Sequence, residues 1–449
     1  MRRATCITGL GAVSAMGVGV PALWEGLVAG RSAVGPLTSI DASGFGAKLG
    51  GEVKDFSAKD HVPKHYRKAV KIMARDIELA VVAAKEAAEH AGLITRAGLP
   101  EGQTTGTTYP AERMGCHIGA ALIAAETVEL TTAMATAVKE SDGEFDLQAW
   151  GGAPGGKGAM NNLTPLWLLK YLPNMLASHV TILHGAEGPS NTITCNEASA
   201  LLSIGESMRV IERGAADVCF SGGAESNINH MRLARLQLAG RLAATAGDDN
   251  GGDVPRPYDA ASPGTTPGEA GAVVMVESLE CAQKRGQKVL ARIAGFGAAH
   301  SPPPQIPPFA QRRIEPDEGL ALSILAALRD AGIGADAIDA IVPHASGIAD
   351  VDTPELGALR QVFGTRLKEI PLITLTPNVG HSLSGQAGLM VAAGVMALTT
   401  QTLPGRLHAG SPPPDARAEK SSSRSVNLRY IVVCTSSLGG QNAAIVLSN

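Results

Sequence analysis

Gly188-Pro189-Ser190-Asn191-Thr192-Ile193-Thr194-Cys195-Asn196-Glu197-Ala198-Ser199-Ala200 carries the clearest fold signal in the chain. Asn191 to Cys195 reads as a strand. Ala198 to Arg213 carries apolar residues at helical spacing and stops at Gly214. Asp217 to Ser221 is apolar again and runs into Gly222-Gly223. Strand, tight turn, helix and strand make a βαβ unit, whose crossover sets the two strands parallel. Glu197 falls at the turn, at the start of a buried helix. A side chain there meets unpaired backbone N–H groups and the positive end of the helix dipole.

Working outward, Ala4 to Val13 reads as a buried strand with a Gly-rich turn, and Ala69 to Ala91 as a long helix stopped by Gly92. Gly98 to Arg113 is a polar loop, Met114 to Ile123 a strand, Asp142 to Met160 a Gly-rich irregular segment and Leu166 to Leu176 a helix. Gly271 to Glu277 supplies another strand. A second series begins near Val289, with strands predicted at Leu290–Phe296, Ile338–Pro343, Ile370–Leu375, Arg429–Cys434 and Asn442–Leu447. Helices are predicted at Asp317–Ala331, Thr353–Val362 and Ala387–Leu398. Ser301–Pro308 and Ser411–Pro414, the latter extended by a polar run to Ser425, read as Pro-rich surface loops.

The chain has 449 residues, more than a usual single core, so two fused α/β halves are expected, residues 1–287 and 288–449. Hydrophobic residues make up 45% and charged residues 18%, the balance of a globular chain. Aromatics are only 3% against 53 Gly, so the core must be built from small and aliphatic side chains with close backbone approaches. A net charge of −4 argues against nucleic acid as a partner. The cysteines (Cys6, Cys116, Cys195, Cys219, Cys281, Cys434) form no CxxC pair and read as free buried thiols of a reducing compartment. Met1-Arg2-Arg3 leads into a Gly-broken segment unlike a signal peptide, and no apolar run approaches the roughly 18 residues of a membrane span. A cytoplasmic location is expected. No metal-ligand spacing, Walker loop or Rossmann fingerprint is present, so neither a metal nor a bound cofactor is predicted.

Two histidines sit in promising surroundings: His344, in Pro343-His344-Ala345-Ser346-Gly347-Ile348-Ala349-Asp350-Val351-Asp352-Thr353-Pro354-Glu355, and His381, in Pro377-Asn378-Val379-Gly380-His381-Ser382-Leu383-Ser384-Gly385-Gln386-Ala387-Gly388. Each alone reads more readily as a structural histidine. Together with the 188–200 stretch, however, they resemble β-ketoacyl-acyl-carrier-protein synthases. The elbow resembles that family's GPS-x-x-I-x-x-A-C-A-T/S-S, the first His segment its A-H-G-T-S-T-P-x-G-D-x-x-E and the second its K-x-x-x-G-H-x-x-G-A-A-G. Ile7-Thr8-Gly9-Leu10-Gly11-Ala12-Val13-Ser14, Arg256-Pro257-Tyr258-Asp259, Gly268-Glu269-Ala270-Gly271-Ala272 and Ser437-Leu438-Gly439-Gly440-Gln441-Asn442 resemble further family segments, so the likeness runs along nearly the whole chain. It implies a thiolase-like fold, two similar α/β halves in five layers, and an oligomer. It also implies that His344 and His381 line one pocket, with Glu269, Gly439 and Gly440 in matching segments.

The departures are as specific. Where the resemblance puts the acyl-carrying Cys, this chain has Glu197. Thr376 stands where the family carries a Lys, and Ser436 and Leu438 stand in place of two gate Phe residues. A carboxylate is a poor thioester nucleophile, and ordinary condensation by this chain is not expected. Three readings of Glu197 follow. The chain is a partner of an active ketosynthase, like chain-length-factor subunits of polyketide systems. Or it is a malonyl-carrier-protein decarboxylase using His344 and His381 to stabilise the enolate. Or Glu197 pairs with a His and plugs the site, as a buried charge needs a partner. A carrier protein would deliver the phosphopantetheine arm. Acyl carrier proteins are acidic, which makes Lys64, Arg67, Lys68, Lys71 and Arg241 docking candidates.

Overall fold

A computed structural model describes residues 2–152, 156–245, 253–302 and 316–449. All ten residues of Thr5–Ser14 (β1) are buried. A strand covered on both faces needs no polar alternation, which is how strands read inside an α/β layer structure. The strands that follow are Met114–Ala120 (β2), Ser190–Thr194 (β3), Val218–Ser226 (β4), Glu269–Ser278 (β5), Ala291–His300 (β6), Ala340–Val342 (β7), Tyr430–Ser436 (β8) and Gln441–Ser448 (β9). They pair in the order β7-β8-β9-β6-β1-β5-β4-β2-β3. β2 runs parallel to both β3 and β4, and β7 parallel to β8, while the other neighbours are antiparallel. β1 and β6 share only the pairs Cys6–Arg292 and Ile7–Ala291. The ladder is therefore two mixed sheets meeting at a narrow seam.

Helices Arg75–His90 (α1), Met175–His184 (α2), Ser199–Glu212 (α3), Glu318–Ala331 (α4), Ala349–Phe363 (α5) and Gln386–Thr400 (α6) cover these sheets. Leu201, Ile204 and Met208 of α3 and Leu389, Val391 and Val395 of α6 fill the space between Val274 and Val276 of β5 and Ile431 and Val433 of β8. The alternate residues face outward. Val273 and Met275 pack on α1 and α2, and Val432 and Cys434 on α4 and α5. The period of two along each strand thus yields five layers, α-β-α-β-α. Glycine lets the central layer close. A Cβ on Gly119 of β2 would lie 2.5 Å from the Ser199 carbonyl carbon, so only glycine allows α3 to begin against that strand.

Most predicted elements form, with three corrections. The long helix starts at Arg75; residues before it make 3-10 turns at Lys64–Tyr66 and Ala69–Ile72. Leu166–Leu176 is not one helix but a 3-10 turn, Trp167–Tyr171, followed by α2, because Pro173 interrupts the run. Ile370–Leu375 is not a strand: only Leu372 bridges to Ile341, and Pro371 has no N–H for a ladder. Most of Ser301–Pro308 lies outside the described residues. The cysteines are all free, though Cys195 and Cys281 are only partly buried. One helical stretch, Leu383–Thr400, does reach 18 residues with a mean hydropathy of 1.3, and 83% of it is buried inside the fold. It contains the central helix α6, apolar all round because protein surrounds it.

Candidate active site

Glu197 sits on a 3-10 turn, Asn196–Ala198, between β3 and α3. The chain reverses there through Asn196, whose φ is 46°, a left-handed conformation that Asn tolerates better than most residues. Three hydrogen bonds fix the elbow. Cys195 N donates to Ser199 Oγ at 2.8 Å, Ser199 Oγ to Ala120 O at 3.0 Å, and Ser384 Oγ to Asn196 O at 3.1 Å. Glu197 is consequently held almost fully buried, at 3% exposure.

His344 follows β7, and the N-terminal turns of α5 grip its loop. Glu355 accepts the backbone N–H groups of His344 at 2.7 Å and Ala345 at 2.9 Å and hydrogen-bonds Tyr258 Oη at 2.8 Å. Asp352 accepts from Ser346 N, Gly347 N and Tyr258 N. Burial and the charge of Asp352 push the Glu355 carboxyl up to about 8. His381 is anchored through its backbone, donating to Thr266 O at 2.9 Å and accepting from Gly268 N at 2.9 Å and Asn227 Nδ2 at 2.7 Å.

These elements bring the two imidazoles edge to edge in nearly one plane, Nε2 toward Nε2. Their planes are 6° apart, with Nε2 to Nε2 at 2.8 Å. Ser436 O lies 3.1 Å from His344 Nδ1 and can only accept, so Nδ1 carries the proton. His344 Nε2 is then the acceptor and His381 Nε2 the donor, leaving the buried His381 Nδ1 as a lone pair without a partner among the described residues. Burial, reinforced by the neighbouring His344 and Arg241, holds His381 well below the usual imidazole range, so it is neutral at neutral pH. The pair shares one proton and can turn one N–H toward an incoming oxygen.

The contacts of Glu197 are unexpected. Its Oε2 accepts the Leu438 backbone N–H at 3.4 Å, and its Oε1 lies 3.9 Å from Arg241 Nη1. The partner of the buried carboxylate is therefore Arg241, not an imidazole. This corrects the expected docking role of Arg241: its side chain is only 14% exposed and points into the site. Lys64, Arg67, Lys68 and Lys71 are all exposed, on the 3-10 turns ahead of α1.

Other expected site residues lie around this centre without entering it. Glu269 forms a two-pronged pair with Arg75, at 2.8 and 3.0 Å. Thr376 is buried and accepts from Gln386 Nε2 at 3.3 Å. Ser436 contributes its carbonyl, and Gly439 and Gly440 form the turn between β8 and β9, with Gly440 at φ 86°. Thr435 (3.2 Å from His344 Nδ1) and the support from Tyr258 are not legible in the sequence, and Arg241 is legible there only as a docking candidate. The ligand atoms of Glu197, His344 and His381 lie within 4.8 Å of one another, the arrangement of a three-donor metal site. Spacing along the chain does not reveal the group, because its members come from three distant segments. The His–His contact engages one nitrogen of each imidazole and Arg241 lies beside the carboxylate, while His381 Nδ1 has no partner among the described residues. Burial raises the Cys195 thiol above the ordinary range, which disfavours its thiolate.

Residues 2–282 match the family model "Beta-ketoacyl synthase, N-terminal domain" and residues 291–410 match "Beta-ketoacyl synthase, C-terminal domain". The chain belongs to the β-ketoacyl synthase family. Among its relatives, the 3-oxoacyl-[acyl-carrier-protein] synthase 2 of Staphylococcus aureus is 27% identical over 442 residues, 98% of this chain and 99% of that protein. The solved ishigamide ketosynthase/chain length factor superposes with a TM-score of 0.81 at 24% identity, covering 100% of both chains. A type II polyketide synthase acyl-carrier protein in complex with its ketosynthase gives a TM-score of 0.79 at 20% identity, again over 100% of both. The β-ketoacyl synthase fold is the thiolase-like one, which agrees with the five layers and mixed sheet of this chain.

Proposed function

We propose that this chain is a non-condensing β-ketoacyl synthase subunit that pairs with an active ketosynthase, as a chain-length factor does. One observation carries the reading. At the position where the sequence motif puts the acyl-carrying Cys, a buried carboxylate occupies the backbone N–H of Leu438 and is held by Arg241. An acyl carbonyl entering the site meets no thiolate there, and the Leu438 N–H is already taken by Glu197. The similarity to a ketosynthase/chain length factor supports a partner of that kind. So does β3, an edge strand beside Glu197 with Ser190, Asn191 and Thr194 exposed. An edge with unpaired backbone groups favours pairing with another chain. Ile182 is also 58% exposed and Leu122 56%.

In the same reading the halves divide at 287/288, the location is cytoplasmic, and an acidic carrier protein bearing phosphopantetheine docks on Lys64, Arg67, Lys68 and Lys71. Co-expression with an intact-Cys ketosynthase, followed by sizing of the complex, tests the pairing. A one-to-one heterodimer is expected, and a homodimer indifferent to every such ketosynthase would overturn it.

A second reading, malonyl-carrier-protein decarboxylation, draws on the retained pair of His344 and His381, 2.8 Å apart, with burial holding His381 neutral. It requires acetyl-carrier protein to appear when the chain alone is given malonyl-carrier protein, and to vanish in His381→Ala.

A further inference from the structure

The Glu197 carboxylate is held in place but poorly satisfied. Oε2 accepts one long hydrogen bond, from Leu438 N at 3.4 Å, and Oε1 accepts none among the described residues. Arg241 Nη1 lies 3.9 Å from Oε1, beyond hydrogen-bond reach. A carboxylate offers about four acceptor sites, and leaving them empty inside a protein is unfavourable. Ordered water is the usual remedy. Water has a way in, because the Glu197 side chain keeps 4% exposure and Leu438 stands on a partly exposed turn.

A carboxylate oxygen of Glu197 and one nitrogen each of His344 and His381 lie within 4.8 Å of one another. Two hydrogen bonds of ordinary length, meeting at the tetrahedral angle of a water, span about 4.6 Å. A single water therefore fits between the carboxylate and an imidazole, donating to Glu197 and keeping a lone pair for attack.

We propose that this chain hydrolyses acyl thioesters, with Glu197 as the general base to that water. As the water oxygen bonds to the thioester carbonyl carbon, Glu197 Oε1 takes its proton while Oε2 keeps the Leu438 N–H. The carbonyl oxygen becomes an oxyanion and accepts the His381 N–H, which turns to it from His344. Collapse breaks the C–S bond, and the proton on Glu197 passes to the departing sulfur. The products are a carboxylic acid and a free thiol, the carboxylate is regenerated, and water is the only co-reactant. No acyl-enzyme forms. The activity acts on the thioesters of the β-ketoacyl synthase family but needs no ketosynthase partner, so it stands or falls separately from the proposed pairing.

Incubating the purified full chain with octanoyl-carrier protein and with the octanoyl thioester of N-acetylcysteamine tests this, with released octanoate measured by mass spectrometry. Release above the protein-free rate is expected. Glu197→Gln should lower it at least about 100-fold, and Glu197→Asp, which draws the base back by one methylene, at least about tenfold. Cys195→Ser should release octanoate like the parent. Melting temperatures of all four proteins separate lost chemistry from lost folding. No release above the protein-free rate by the folded parent would overturn the proposal. So would a Glu197→Gln variant as active as the parent, or loss of release in a folded Cys195→Ser variant.

Discussion

Replacing Glu197 and Arg241 by Gln, singly and together, measures how strongly the buried carboxylate depends on its cation. The charges are 3.9 Å apart, with side-chain exposures of 4% and 14%. Coulomb's law gives about 1 kcal/mol at that separation in water and about 4 kcal/mol at an effective dielectric near 20. Desolvation offsets part of the larger figure, so a double-mutant cycle should return a coupling of about 1–3 kcal/mol. The single variants should be unequal. Arg241→Gln strands a carboxylate with one backbone N–H, at 3.4 Å, as its remaining contact. Glu197→Gln leaves a guanidinium with some access to water, so it should be the milder change. Urea unfolding of the four proteins is the assay. A coupling below about 0.3 kcal/mol, within the error of independent sites, would refute the pairing. So would a Glu197→Gln variant less stable than Arg241→Gln.

Glu355 gives a pH test. Its carboxyl is raised from 4.5 to about 8 in the fold, so between those values the native chain holds a proton that the unfolded chain has released. Stability from this group is complete below 4.5 and is lost as pH rises towards 8, by at most about 1.4 kcal/mol per unit. Glu355→Gln should flatten this part of the melting-temperature profile, and an unchanged profile would remove Glu355 as its source. Gly119→Ala places a Cβ 2.5 Å from the Ser199 backbone and should cost about 3 kcal/mol or more, or prevent soluble expression. Gly98→Ala, with nothing within 4 Å, serves as the control and should melt like the parent.

The βαβ unit around Glu197 was legible because it is local. A short strand, a turn and an amphipathic helix with a Gly stop leave a pattern within some thirty residues. The pairing of His344 with His381 was legible only through motif likeness, because their contact spans 37 positions and no periodicity encodes it. Arg241 was misread for a physical reason: a charged residue beside a Gly looks like surface, and only tertiary packing turns its guanidinium inward to Glu197. The strand expected at Ile370–Leu375 failed because an apolar run fixes burial, whereas Pro371 decides whether a ladder forms. The buried acids Asp352 and Glu355 matched a motif, but their work of holding the His344 loop by its backbone N–H groups leaves no sequence trace.

The proposed non-condensing role requires that Glu197 leave this chain unable to carry an acyl group. The most direct measurement is the intact mass of this chain after incubation with acyl- and malonyl-carrier protein, alone and beside an active ketosynthase. An unmodified mass in both cases, with the acyl increment confined to the ketosynthase, is the predicted result. An acyl increment on this chain, mapped to Glu197 or Cys195, would contradict it.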